Sequence, residues 1–315
     1  MAAPSVARTR SQPRFSGLAW RRARWGYVFI GPWILGFLAF TAFPMVATFV
    51  FTFTNINLAQ AEPLRFVGLK NYQTLLGDRQ VWDSLGITLK FAVLALPVAV
   101  ILPFLVALLL HSRHLRFSGG FRVLFFLPYV VPFVAGVFIW QSMLNADTGW
   151  VNILLKAIGI SKPPDWLEDP TWIYPGLVIM GVWGIGAGVI VYLAGLRGIP
   201  TDLYEAARID GAGAWASLRY ITVPMMTPVI FYTIVLAVVE VLQYFLVPLV
   251  LKNGTGEPGG STMFYNLYLY KNFFTFQNMS YGATLAWVLF AISLAITLIL
   301  FGTARRWVYY AGEAR

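Results

Sequence analysis

Long apolar runs separated by short polar stretches organise this chain. Six of them, at 27–51, 87–110, 121–144, 172–196, 225–251 and 282–303, reach the roughly 20 mostly apolar residues that a helix needs to cross a hydrocarbon core of about 30 Å. The pattern predicts an all-α membrane protein with six transmembrane helices over residues 27–303. A basic segment, 1–26, precedes them and a short tail, 304–315, follows. The first run lies near the N-terminus behind arginines, the arrangement of a signal peptide. It is too long for a signal peptide's apolar region and no small-residue cleavage site follows, so the expectation is a retained anchor.

Composition agrees. Hydrophobic residues make up 58% of the 315 and charged residues 11%, whereas a soluble domain carries about 25% charged residues. The chain has no cysteine, which excludes disulfides, thiolate metal sites and a cysteine nucleophile. The net charge of +10 raises the question of a nucleic-acid partner, and the placement of the charges answers it. Of the 23 lysines and arginines, one side of six spans receives 15: Arg8, Arg10, Arg14, Arg21, Arg22 and Arg24; Arg113, Arg116 and Arg122; Arg197, Arg208 and Arg219; Arg305, Arg306 and Arg315. The other side receives the remaining 8. Lysine and arginine accumulate on the cytoplasmic side, so both termini are expected there, in a cytoplasmic membrane. Asp202, Glu205, Asp210 and Glu313 fall on the same side, and Glu240 lies within a span. The basic balance is accounted for by topology rather than by nucleic acid.

Pro44, Pro97, Pro103, Pro128, Pro132, Pro175 and Pro248 sit inside these runs. Neighbouring helices in a membrane bundle can satisfy the carbonyls that such prolines free, so kinked spans are expected. Gly181, Gly184, Gly186 and Gly188 in the fourth run allow close helix packing, with the lining of a pathway as the alternative.

Motifs for bond-making chemistry are missing. "GTGEPGGS", from Gly254, has the spacing of a phosphate-cradling loop, but Gly260 stands where the lysine is needed. His111 and His114 are spaced for a metal, but lie among arginines with no third ligand nearby. No metal, no cofactor and no enzymatic activity are expected of this chain.

The stretch "IPTDLYEAARIDGAGAWASLRYITVP", within a loop spanning 198–224, is charged and alanine-rich. Asp202 can cap a short helix, with Glu205 reaching back as in a capping box. Leu203, Ala206, Ala207 and Ile209 give it a low apolar surface, and Gly211 can adopt the left-handed conformation that ends a helix. A second short helix is expected from Ala214 to about Ile221, ahead of a span starting near Pro224. So short a helix is marginal alone. It must be held either by its own bundle or in a partner's groove.

Glu205-Ala206-Ala207, then Gly211 four residues later, then Ile221-Thr222-Val223-Pro224 after nine more, resemble the EAA loop of binding-protein-dependent ABC importer permeases. Val223 departs from the usual leucine. The fuller "IPTDLYEAARIDGA", "FRVLFFLPYVVPFVAGVFIWQSML" and "YGATLAWVLFAISLAITL" look like the carbohydrate-uptake branch, of the maltose and glycerol-3-phosphate type. The resemblance extends from about Tyr27 to Arg306. It implies that the loop docks into a separate ATPase subunit through Glu205, Ala206, Ala207, Asp210, Gly211, Ile221 and Pro224. It also implies two ATPase copies holding ATP and magnesium, a second and different permease, and an external solute-binding protein.

For substrate contact, "VVEVLQYFLVP" places Glu240, Gln243 and Tyr244 at i, i+3 and i+4, one face of a helix. A carboxylate in a span should face protein or water, and a sugar's hydroxyls need such an acceptor. A structural hydrogen-bond network is the plainer role. Trp183 and Tyr192 are weaker candidates, because aromatic residues in membrane spans mostly serve packing or the interfacial belts. Two rival classes remain: a proton-coupled carrier using Glu240, for which no second titratable intramembrane group is found, and a non-transporting docking scaffold.

Overall fold

A computed structural model describes residues 17–59, 63–112 and 118–310. Arg8, Arg10, Arg14, Arg113, His114, Arg116, Glu313 and Arg315 lie outside the described residues. The described chain is helical, apart from an isolated antiparallel bridge between Thr54 and Phe66.

Two compact units divide the chain after Phe51. The first holds α1 (Gly17–Phe37), a π turn (Leu38–Ala42) and α2 (Phe43–Phe51). Together they supply an apolar run, Arg24–Phe51, with no part of its most apolar stretch buried. Such a surface is stable only against lipid or another protein. The π turn has a local cause. Pro44 cannot donate to the carbonyl four residues back and its ring crowds that carbonyl. The widened turn, closed by Phe43 N–H to the Leu38 carbonyl, accommodates it.

In the second unit α3 (Lys70–Gly77) leads into α4 (Arg79–His111), which continues through Pro97 and Pro103. Asp78 caps α4 by accepting from Gln80 N–H at 3.0 Å. Its other oxygen accepts from the Tyr268 and Tyr281 hydroxyls at 2.7 and 2.6 Å, so one carboxylate ties the start of α4 to α14 (Tyr265–Tyr270) and α15 (Met279–Trp307). Burial, and then the Asp78 hydrogen bond, push the Tyr268 hydroxyl up to about 12 from its ordinary value near 10. The inner face of α4 packs against α9 (Gly186–Arg197) and α12 (Val223–Leu242), with Ala107, Leu110, Val189, Tyr192, Leu196 and Met226 in the core between them.

Among the described residues four helical runs are long and apolar enough to cross a membrane: Arg24–Phe51, Arg79–His111, Ala214–Leu251 and Met279–Trp307. A fifth crossing is available if α8 (Ile173–Val182) and α9, bent by 55° at the break between them, act as one span. The run at 121–144 is not one continuous helix. It comprises α5 (Ser118–Phe126), a 3-10 turn (Leu127–Val130) and α6 (Phe133–Met143). Before Pro132, Val131 is extended, φ −77° and ψ 127°, since the helical region is disfavoured for a residue that precedes proline. Where six spans were expected, the described residues show four candidate crossings, one bent pair and one proline-broken segment.

Candidate functional site

Two helix breaks build the central cavity. α8 ends at Val182 and α9 starts at Gly186, leaving Trp183, Gly184 and Ile185 in turns. α12 ends at Leu242, and α13 (Leu246–Leu251) begins after Phe245, whose φ of −158° and ψ of −26° are not helical. Pro248 explains the second break, since it has no N–H for the Tyr244 carbonyl and its ring would clash there. Interrupted membrane helices expose polar backbone only where they line a cavity or pack against protein.

Between the breaks lie two adjoining cavities of about 330 and 450 Å³, and Glu240 and Tyr244 border both. Trp183 lines the larger. Its ring meets Trp140 edge to face at 6.2 Å and is held above Gly136, where an added Cβ would lie 3.0 Å from the indole. Tyr244 is braced by Phe91 at 4.8 Å and Phe264 at 5.2 Å. The walls are therefore aromatic and rigid, with an exposed carboxylate at Glu240. Such a site can accept hydrogen bonds from hydroxyls while stacking an apolar ring face.

Gln243 does not join this group. It is the C-terminal cap of α12, exposed and absent from both cavities, and its backbone carbonyl accepts from Asn266 Nδ2 at 2.8 Å. The shared helical face inferred from spacing ends at Leu242, because the helix itself ends there. Tyr192 borders the smaller cavity, with its hydroxyl bonded to Thr233. Phe91 and Trp140 were missed by sequence reasoning: apolar rings on other helices carry no local signal of convergence.

The four glycines divide by role. A Cβ on Gly186 would sit 2.2 Å from the Phe125 carbonyl oxygen, and one on Gly188 would meet Pro103 at 3.1 Å. These two set helix packing, although Gly188 also borders the cavity. Gly181 faces open space, a Cβ on Gly184 would meet the Gly181 carbonyl oxygen only at 3.6 Å, and both line both cavities.

The loop at 198–224 carries the second constellation. α10 (Thr201–Ile209) starts directly after Pro200, which serves as its cap without a side-chain hydrogen bond. The expected capping box is therefore corrected: with Pro200 as the cap the helix starts two residues earlier, and Asp202 lies inside the first turn. There its charge still favours the helix N-terminus. Tyr204 and Ala207 turn toward the bundle, and the Tyr204 hydroxyl bonds Thr222 Oγ1 at 2.9 Å. Tyr204 was also missed, although its i, i+3 spacing to Ala207 marked an inward face. Glu205 and Ala206 are exposed, and Ile209 is 87% exposed. Asp210 ends the helix and Gly211 follows at φ +78°, the left-handed conformation that its missing Cβ permits.

The second short helix is not separate. α11 (Ala214–Ser217) passes through a π turn (Leu218–Thr222) straight into α12, with Val223 N–H bonded to the Leu218 carbonyl. Pro224 is again two residues past the π turn, as Pro44 is past the first. Ile221 is half-buried at the base of the bundle. One element thus extends from the loop to the cavity at Glu240.

Residues 79–315 match the model of the binding-protein-dependent transport system inner membrane component family. The chain is 34% identical over 290 residues to a probable ABC transporter permease of Bacillus subtilis, covering 91% of this chain and 93% of the relative. It is 34% identical to the lactose transport system permease of Rhizobium radiobacter over 89% of this chain and 94% of that one. Identity to the trehalose/maltose transport system permease of Thermococcus litoralis is 32%, over 92% and 97%. A solved bacterial ABC transporter that imports the acidic polysaccharide alginate shares the fold, with a TM-score of 0.77 at 24% identity over 91% of this chain and 96% of that one. Broken helices around a cavity, a projecting loop helix and these matches lead to one conclusion: the chain belongs to the family of inner membrane components of binding-protein-dependent transport systems, as a multi-pass permease subunit.

Proposed function

We propose that this subunit forms half of the translocation pathway of an ATP-driven importer for a sugar or related polyol. The observation that carries this is the aromatic cavity between two helix breaks, with the Glu240 carboxylate, Tyr244 and Trp183 on its wall. A neutral, hydroxyl-rich solute matches an acceptor flanked by rings, and several relatives are named for sugar transport. In this proposal Glu205, Ala206, Asp210 and Gly211 present α10 to a cleft in an ATPase subunit. Ala207, Ile221 and Pro224 seat the loop on the bundle. Two ATPase copies hold ATP and magnesium, a second and different permease completes the pathway, and an extracytoplasmic binding protein delivers the solute. Both termini and α10 face the cytoplasm.

Uptake of labelled oligosaccharides into proteoliposomes, with all partner subunits present and ATP inside or absent, tests this. The proposal expects ATP-dependent accumulation that falls sharply in Trp183→Ala while the assembly stays intact. Accumulation driven by a pH gradient without ATP would instead favour a carrier working through Glu240.

A further inference from the structure

A further cavity lies elsewhere, at the end of α15, and the proposed pathway does not use it. Beyond Trp307 the chain leaves the helix and stays against α12, where Tyr309 N–H donates to Thr227 Oγ1 at 2.9 Å. Phe231 of α12 meets Phe301 at 5.0 Å and Trp307 at 5.8 Å, both edge to face, with Ala304 and Val308 buried beneath. These residues border an open cavity of about 700 Å³. Arg305, Arg306, Tyr309 and Tyr310 are exposed around it.

We infer that this cavity is a binding site for a diacyl anionic phospholipid. Two adjacent guanidinium groups suit a phosphate, which they can grip with paired hydrogen bonds. Trp307, Tyr309 and Tyr310 follow directly on an apolar run long enough to cross the membrane; tryptophan and tyrosine concentrate at such headgroup boundaries. The exposed face of α15, through Leu294, Leu298 and Phe301, leads from the membrane interior into the cavity and offers an acyl chain a continuous apolar track. A soluble anion would not need that track. Arginines near a helix C-terminus also complement its dipole, but that role requires neither the ring-walled cavity nor a lipid. Because Thr227 stands three residues after Pro224, a lipid held here would steady the base of α12 next to the loop at 198–224.

Native mass spectrometry of the mildly extracted transporter, titrated with phosphatidylglycerol or phosphatidylcholine, reads the binding. It does so whichever face of the membrane the site occupies. Wild type is expected to hold phosphatidylglycerol roughly tenfold or more tightly than phosphatidylcholine, from about one unit of binding energy per basic residue. Arg305→Gln/Arg306→Gln should lose that preference, Arg305→Lys/Arg306→Lys should keep most of it, and Arg208→Gln should leave it unchanged. A photoactivatable phosphatidylglycerol on wild-type protein should mark residues 301–310, which decides the matter even if the glutamine variant fails to fold. Equal affinity for both lipids, labelling elsewhere, or displacement by equimolar inorganic phosphate would overturn the inference.

Discussion

Glu240 is a carboxylate on a membrane helix, exposed toward cavities that no neighbouring side chain of its own fold neutralises with an ion pair among the described residues. Its desolvation is tolerable only beside water or a polar ligand. Replacing it with glutamine removes one charged acceptor while preserving shape. A hydrogen bond to a charged group contributes about 1.5–3 kcal/mol, so Glu240→Gln should reduce ATP-dependent uptake roughly ten- to a hundredfold without loss of assembly. Unchanged uptake would remove Glu240 from the substrate path. At Tyr268 the direction of the shift fixes a pH dependence. Its hydroxyl is harder to ionise folded than unfolded, so its contribution is complete below about pH 10 and is lost as pH rises toward about 12. In thermal melts, the gap between wild type and Tyr268→Phe should therefore narrow across that window and stay constant below it.

The elements show where local sequence speaks and where it is overruled. Gly211 was legible as a helix stop because a left-handed residue after α10 has a strong chemical preference. The Glu205–Pro224 loop was legible from its spacing, and its exposure follows from its polarity. What spacing alone could not give was where helices end inside the membrane. Gln243 drops out of the site because Pro248 acts backward along the chain on Tyr244. Asp202 loses its capping role to Pro200, and the expected pair of short loop helices merges with α12 through a π turn. Each correction traces to a proline: Pro200 at the cap itself, Pro224 and Pro248 through the carbonyl a turn before them. The glycines make a paired prediction at this scale. Gly186→Ala drives a methyl group into the Phe125 carbonyl and should cost about 1–3 kcal/mol of stability, seen as poor yield and a lowered melting temperature. Gly181→Ala points into open cavity and should spare the melt while changing uptake. If both behave alike, the division between packing and lining glycines is wrong.

On the scale of the whole molecule, the account joins a cavity to a projecting loop through one helical run, Ala214–Leu251. A helix is a stiff connection, so displacement of α10 by a partner would reach the break at 243–245 and the Glu240 wall as a rigid-body motion. The absence of native cysteine makes orientation directly measurable. Thr255→Cys should react with a membrane-impermeant maleimide added to intact cells, and Ser217→Cys only after the membrane is opened; the reverse pattern would invert the topology. The exposed apolar residues Ile209 and Trp215, at 87% and 72%, are the strongest sign that the loop is covered in the working assembly. The central claim is therefore tested most directly by capturing the assembly through a tag on this chain after mild extraction and weighing it by native mass spectrometry, beside Glu205→Ala. The account predicts two ATPase copies and a second permease with wild type, and marked loss of the ATPases with the variant. A lone subunit or a homodimer without ATPase in both samples would contradict it.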